Sequence, residues 1–522
     1  MVSDPIFSEH AIAAPIVLPL LAGAALVPIE GRWPRLASAL SLSAVLALLA
    51  LGAALAAHAD SGAVEAYLVG NWRAPFGIAL ALDRLSALML MLTALVALGA
   101  ALYACGGEAS RGAHFHALLQ FQLMGLNGAF LTADLFNLFV FFEVLLIASY
   151  GLLLHGGGPQ RLKAAIHYVA FNLTGSALFL IAVSLLYGLA GTLNMADLAE
   201  RVTRAPAEGA VLLKTAALLL LVVFSVKAAL LPLYFWLPDT YSAAAAPVAA
   251  LFAIMTKVGV YAIARVYTLV FGDAGGVVAQ VAQPWLPWLA LGTLALAAQG
   301  ALAAARLRVL VAYLVVASAG TLLLALGLGT AQTVAAGLFY LINSTLVAAA
   351  LFLLIDRIDA ARGDAADALA AAPIGSERRR LGTAYFVLAI AVAGLPPLAG
   401  FLGKALLLQA AAASAWPVLV WAVVLASSFA LIVALARAGS VVFWQAPAGA
   451  ADRSTPQAPG AQRAALTLLT LLVVAVAAFA GPLADYTHAA AWQLFERRTY
   501  IGAVLGKQPA APLWNPRQGM TK

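Results

Sequence analysis

Charge and cysteine are the two things these 522 residues have least of. Asp, Glu, Lys and Arg together make up 10% of the chain, where a soluble domain carries about a quarter. So little charge cannot cover a globular surface, and it also excludes a disordered tail and a nucleic-acid-binding module. The single cysteine, Cys105, can form no internal disulfide, which excludes a secreted disulfide scaffold. No Cys/His cluster has metal-ligand spacing, and neither a nucleophile–base pair nor a phosphate loop stands out, so no enzyme chemistry and no cofactor are expected. What the chain does have is 64% hydrophobic residues and a mean hydropathy of +0.98. Its net charge of +7 is concentrated in short loops and reads as a topology signal. The composition predicts a polytopic membrane protein.

A helix needs about 20 predominantly apolar residues to cross the hydrocarbon core. No charged residue occurs between Lys163 and Asp197, between Asp273 and Arg306, or between Arg308 and Asp356. Cutting at loops, glycines and prolines predicts an all-α fold of about fourteen transmembrane helices, at 9–28, 36–58, 79–104, 113–133, 134–155, 162–190, 211–236, 247–271, 284–304, 306–328, 331–355, 381–410, 416–443 and 463–485. Residues 487–522 are too polar to span and are expected along the surface.

Fifteen Lys and Arg, from Arg32 to Arg463 and including Arg453, fall in loops after odd-numbered spans, against six on the other side. The positive-inside rule then puts the amino terminus outside. The basic tail (Arg497, Arg498, Lys507, Arg517, Lys522) would also lie outside, against that rule. The first 30 residues carry no basic n-region, which predicts a retained first helix and not a signal peptide.

Two spans contain helix-breaking chemistry at mid-sequence. The seventh holds Pro232 and Pro238, and the twelfth reads Gly394-Leu-Pro396-Pro397-Leu-Ala-Gly400. Proline removes a backbone donor and clashes one turn back; in lipid such a break survives only where protein or a water-filled cavity satisfies the freed groups. Spans four to eight and nine to thirteen form two blocks of five with the broken helix fourth in each. Five is odd, so the second block enters from the opposite side, an inverted repeat. Interrupted segments at matching positions of two halves point to a transporter's site; the bland alternative is kinks that only shape packing. The expected organisation is three N-terminal helices (1–112), a first repeat (113–271), an inverted second repeat (284–444), and a last helix with a surface tail (445–522).

Four charged residues sit deep in spans: Glu143, Lys227, Lys257 and Lys404. Each costs roughly 2.5–3.5 kcal/mol at a helix centre on insertion scales, so each is a functional candidate. Three lysines and one carboxylate lack the oxygens of a cation cage and suit a proton wire, whose groups shift one another's protonation. The competing readings are a permanently protonated acid for Glu143 and snorkelling for Lys227. Lys163 and His167, at i and i+4 in the sixth span, form a candidate inner proton inlet or else an interfacial anchor. Asp134 and Asp239 read as helix caps.

The segments Phe130-Leu-Thr-Ala-Asp134-Leu-Phe-Asn137-Leu-Phe-Val-Phe-Phe-Glu143, Lys227-Ala-Ala-Leu-Leu-Pro232-Leu-Tyr-Phe-Trp236-Leu-Pro238-Asp239, Thr256-Lys257-Val-Gly-Val-Tyr261 and Gly394-Leu-Pro-Pro-Leu-Ala-Gly-Phe-Leu-Gly-Lys404 resemble the Mrp-type multisubunit cation/proton antiporters, their D subunits most of all. The same superfamily includes the antiporter-like subunits of respiratory complex I. Gly191-Thr-Leu-Asn194-Met195-Ala-Asp197 and Ser149-Tyr150-Gly151 favour the D subunit. The stretch Tyr241-Ser-Ala-Ala-Ala-Ala-Pro247 departs from relatives that carry more prolines. The resemblance implies fourteen helices, inverted five-helix repeats, discontinuous helices seven and twelve, and a polar axis on which Glu143, Lys227, Lys257 and Lys404 carry protons. It further implies a bacterial inner-membrane protein that works only with other hydrophobic subunits, handling protons and a monovalent cation, Na+ or K+. The alternative is a proton-pumping subunit of complex I or of a membrane-bound hydrogenase. A scaffold that merely assembles partners would tolerate change at all four charges.

Overall fold

The computed structural model describes residues 10–445 and 459–506. Arg453, Lys507, Arg517 and Lys522 of the loop and tail readings lie outside the described residues.

The described chain opens with α1 (Ala14–Ile29), α2 (Pro34–Asp60) and α3 (Arg84–Ala104). Between the last two lies an antiparallel hairpin, β1 (Glu65–Leu68) and β2 (Ala79–Leu82), with Glu65 opposite Leu82 and Leu68 opposite Ala79. This corrects the all-helical expectation, which ran a span from 79. The reason is Asp83. Its backbone is extended, its carboxylate accepts the Ser86 N–H at 2.9 Å, and Ser86 Oγ accepts the Asp83 N–H at 2.8 Å. A reciprocal cap of this kind starts a helix after itself.

The chain continues with α4 (Phe115–Leu131), α5 (Leu135–Leu154), α6 (Pro159–Ala190), a short α7 (Met195–Thr203), α8 (Ala210–Ala228), α9 (Trp236–Ala243) and α10 (Ala246–Leu269). Then come α11 (Leu286–Ala303), α12 (Leu307–Gly327), α13 (Ala331–Arg362), α14 (Arg378–Ala393), α15 (Ala399–Ala411), α16 (Pro417–Gly439), α17 (Gly460–Ala478), α18 (Ala480–Phe495) and α19 (Arg497–Gly506). Among the described residues, eleven helices are long and apolar enough to cross a membrane; α1 and α15 are shorter and also apolar. The apolar windows of α10 and α13 are buried throughout, whereas those of α2, α16 and α17 are mostly open. Burial thus falls from α10 and α13 through α12 and α3 to half-exposed outer helices, the pattern expected when lipid or partner helices cover the outer faces.

Both interrupted segments are real gaps in helix. In the first, α8 ends at Ala228, Ala229 takes a left-handed turn (φ 56°), and helix resumes at Trp236. The freed groups find partners. Leu231 N–H donates to Thr293 Oγ1 on α11 at 2.8 Å, and Trp236 Nε1 donates to the Val226 carbonyl at 3.1 Å. Pro232 lies in this gap. Pro238 does not: it sits in the first turn of α9, where a proline removes no helical bond, so it shapes the restart and not the break. Asp239 shares that first turn and is no N-cap, since Phe235 holds that position; Asp134 does cap α5, accepting the Asn137 N–H at 2.8 Å. In the second gap, α14 ends at Ala393, Gly394 turns left-handed (φ 81°), and Pro396 and Pro397 precede the restart at Ala399.

Candidate functional site

Lys227 occupies the last turn of α8, directly before the first gap, and is buried. Its ammonium lies 3.0 Å from Asn172 Oδ1 on α6 and 5.7 Å from the centre of the Phe142 ring on α5. One turn along α6, Ser176 Oγ donates to the Glu143 carboxylate, and it also approaches the Asn172 carbonyl at 3.1 Å. Glu143 and Lys227 are thus joined across three helices by Ser176 and Asn172. Glu143 itself is half-buried, with Val140 and Ile147 exposed on the same helix. Its polar link runs inward while its outer side opens on the rim of the molecule.

Lys257 is wholly buried on α10, donating to Ser318 Oγ on α12 at 2.9 Å and to Thr256 Oγ1 at 3.3 Å. Two residues on, Gly259 packs against α8 so closely that an added side chain would strike the backbone of Lys227 and Ala228. This close approach sets Lys227 and Lys257 on neighbouring helices at one level. Lys404, on α15 just after the second gap, is buried and donates to the Ala393 carbonyl at 2.8 Å. It therefore caps the helix that breaks before it. Asn343 on α13 donates to the Ala391 carbonyl of the same end at 3.3 Å. In each half, then, an asparagine on the long helix before the broken one reaches into the break region: Asn172 to Lys227, Asn343 to Ala391.

Lys163 and His167 do not join this assembly: both are exposed on the outer face of α6. Their neighbour Arg161 turns the other way, its Nε donating to the Ala243 carbonyl at 3.0 Å. There it borders a cavity of about 610 Å³ lined by Glu108, Arg111, Arg306, Arg308, Asp356 and Asp359. Arg308 pairs with Asp356 at 2.8 Å and Asp359 at 3.3 Å, and Tyr103 donates to Asp356 at 2.7 Å. Burial and the negative Asp356 push the Glu108 carboxyl above the ordinary carboxylate range, against the pull of Arg111, Arg161 and Arg308.

At the opposite end, Arg265 lies two helical turns beyond Lys257 on α10 and is buried in an ion pair with Asp83 at 2.6 Å. The Tyr500 ring of α19 stacks over its guanidinium at 4.8 Å. Among the described residues no group of three or more His, Cys, Asp or Glu is placed to hold a metal ion.

Sequence reasoning passed over Asn172, Ser176, Thr293, Ser318 and Asn343. A polar side chain inside a charge-free apolar run was the available signal.

Residues 132–430 match the family described as NADH:quinone oxidoreductase/Mrp antiporter, transmembrane. The chain is 44% identical over 478 residues to the D subunit of a probable K+/H+ antiporter from Rhizobium meliloti, covering 85% of this chain and 89% of that one. It is 40% identical over 347 residues to the D subunit of a Na+/H+ antiporter from Bacillus subtilis, 65% and 68% of the two chains. Among solved structures, a chain of the Mrp complex from Dietzia sp. superposes with a TM-score of 0.84 at 28% identity, covering 95% of this chain and 99% of that one.

Proposed function

The chain belongs to the family of Mrp antiporter D subunits, and from that premise we propose how its buried charges move protons. As such a subunit it is a multi-pass membrane protein of a multisubunit Na+/H+ or K+/H+ antiporter, a transporter component and not an enzyme. The finer reading begins with topology. Counting α1, α4 and the α14–α15 pair with the eleven long spans, and taking α8 and α9 as one, makes fourteen crossings. These fall into three N-terminal helices (1–112), a repeat (113–271), its inverted counterpart (284–444), and a final helix with its tail (445–522). The membrane is the bacterial inner membrane.

Protons move along Glu143, Lys227, Lys257 and Lys404. The observation that carries this is the chain from Glu143 through Ser176 and Asn172 to Lys227. A buried ammonium gains from a nearby negative charge and loses from a nearby positive one. A proton arriving at Lys257 therefore disfavours charge on Lys227, and Glu143 supplies the counter-charge that takes it up. The charged cavity beneath α9 and α10 suits the inner approach better than Lys163 and His167, which serve as an inlet only where a partner subunit encloses the α5–α6 face. The inward proton gradient drives the monovalent cation outward, with other hydrophobic subunits of the complex completing the path.

The test is Lys227→Ala and Glu143→Ala in the whole complex, assayed in everted vesicles. Exchange driven by a pH gradient disappears while assembly persists; undiminished exchange in either variant overturns the assignment. The family description also covers NADH:quinone oxidoreductase subunits. Iron–sulfur or flavin subunits copurifying with this chain would favour that second reading over antiport.

A further inference from the structure

We propose that the groove between α14 and α16 binds one anionic phospholipid, its phosphodiester held by Arg378 and Arg379 and an acyl chain running along the groove to the second helix break.

The groove has a volume of about 640 Å³, with Arg378 and Arg379 at one end, Phe386 along its wall, Trp444 at its rim, and Ala393 and Leu395 at its far end. Among the described residues its charged end lacks an answering charge. Both arginines are exposed in the first turn of α14, which contains no acidic residue. The nearest acid in sequence, Glu377, is engaged by Arg357 at 3.1 Å. Among the described residues neither Arg378 nor Arg379 has an ion-pair partner. A helix N-terminus carries partial positive charge, so cations there are disfavoured unless an anion joins them. Arginine presents a planar fork that matches phosphate oxygens in pairs.

The remaining length fits a lipid tail. From Arg379 to Ala393 the helix rises roughly 21 Å at ~1.5 Å per residue, about the depth of one leaflet with its headgroup layer. The exposed Trp444 beside the mouth suits the interface, where amphipathic rings settle. Basic pockets between membrane helices on the side rich in Lys and Arg are where acidic headgroups collect. A partner helix would fill the apolar wall but would need its own acid at the arginine end; a phosphodiester meets both arginines with one group.

The position gives the lipid a consequence. Ala393, at the deep end, is the residue whose carbonyl accepts the Lys404 ammonium. A chain lying there covers the break from outside and keeps bulk water from that carbonyl.

The test uses the complete antiporter complex in phosphatidylcholine vesicles containing a trace of phosphatidylglycerol with a photoactivatable diazirine in one acyl chain. After illumination, label is expected in peptides spanning 382–395 and 432–444. Unlabelled phosphatidylglycerol competes it away, while phosphatidylcholine and inorganic phosphate do not. The double variant Arg378→Gln/Arg379→Gln lowers this labelling by about tenfold or more, the scale of lost charge-assisted hydrogen bonds, and Arg378→Lys/Arg379→Lys, which keeps the charge and loses the paired fork, lowers it less. Ala389→Trp, which fills the groove and leaves the arginines intact, lowers it as well. Equal labelling by a phosphatidylcholine analogue, absence of label from these peptides, displacement by inorganic phosphate alone, or crosslinking of an Ala389→Cys variant to a partner subunit would each overturn the proposal.

Discussion

Lys227 meets Glu143 through α6: its ammonium is 3.0 Å from Asn172 Oδ1, and Ser176, one turn along, holds the Glu143 carboxylate. The two charges sit at the ends of a short polar bridge whose middle members have no charge of their own. Such a bridge lets each charge respond to the other without locking them into a direct pair.

Replacing Asn172 by Leu therefore lowers pH-gradient-driven exchange by roughly tenfold to a hundredfold, the equivalent of a charged hydrogen bond of about 1.5–3 kcal/mol. Ser176→Ala has a smaller effect in the same direction, because water can take the place of a hydroxyl beside the half-open Glu143. Fluorescence recovery of a pH-sensitive dye in everted vesicles reads both. Wild-type rates for Asn172→Leu, in an assembled complex, would dismiss the bridge.

Gly394→Ala tests the second break. Gly394 has φ 81°, and a methyl group there would sit 2.8 Å from Lys404 Cδ. The left-handed turn alone costs roughly 1–2 kcal/mol for a residue with a Cβ, and the methyl group displaces the lysine stem. Both the melting temperature of the complex and its exchange rate should fall, whereas Gly188→Ala, on open surface in α6, lowers neither.

The buried pair of Arg265 and Asp83 ties α10 to the start of α3. Removing one partner leaves the other charge stranded, at a cost of about 3–5 kcal/mol. Asp83→Ala is expected to cut the amount of assembled subunit sharply. Arg265→Met/Asp83→Leu, which removes both charges, recovers much of it, short by the roughly 1 kcal/mol lost with the Ser86 cap. Thermal unfolding of the purified complex ranks the three; a double variant no better than Asp83→Ala would deny the pair its structural role.

Glu108 gives a pH signature. Its carboxyl titrates above the ordinary range because burial and Asp356 disfavour the anion. The folded state thus holds this proton more tightly than the unfolded chain. The stability linked to it is full below the ordinary carboxylate range and is lost as pH rises through the elevated value. Glu108→Gln keeps a neutral group there, so its melting temperature relative to wild type should rise as pH climbs from the ordinary carboxylate range through the elevated value. A difference that is flat or falls over that window contradicts the account.

Much of this architecture was readable from residue order, and the reasons are physical. Hydrocarbon admits so few charges that Glu143, Lys227, Lys257 and Lys404 stood out by expense alone, and prolines in apolar runs located both interruptions. What stayed hidden was local or relational. Residues 79–82 read as the start of a span because four apolar residues look alike in strand and helix; the Asp83 cap decided otherwise. Lys163 and His167 share a face, as their spacing required, but spacing cannot say which way the face looks, and it looks outward. Asn172, Ser176 and Ser318 carry no charge and so raised no alarm, although they are what the charged groups touch. The Asp83–Arg265 pair, 182 positions apart in sequence, needed the fold to bring it together.

The amide of Leu231 has a wider implication. It belongs to the interrupted helix of the first block, yet the oxygen that satisfies it, Thr293 Oγ1, comes from the opening helix of the second. Severing the chain in the connection after Phe271 would separate donor from acceptor, and neither fragment could supply the missing group by itself. The blocks are obliged to mature side by side. Split-gene versions of this subunit should accumulate only when both pieces are made in the same cell, and swapping one block for that of a distant relative should succeed only where the incoming sequence keeps a hydroxyl at the position of Thr293.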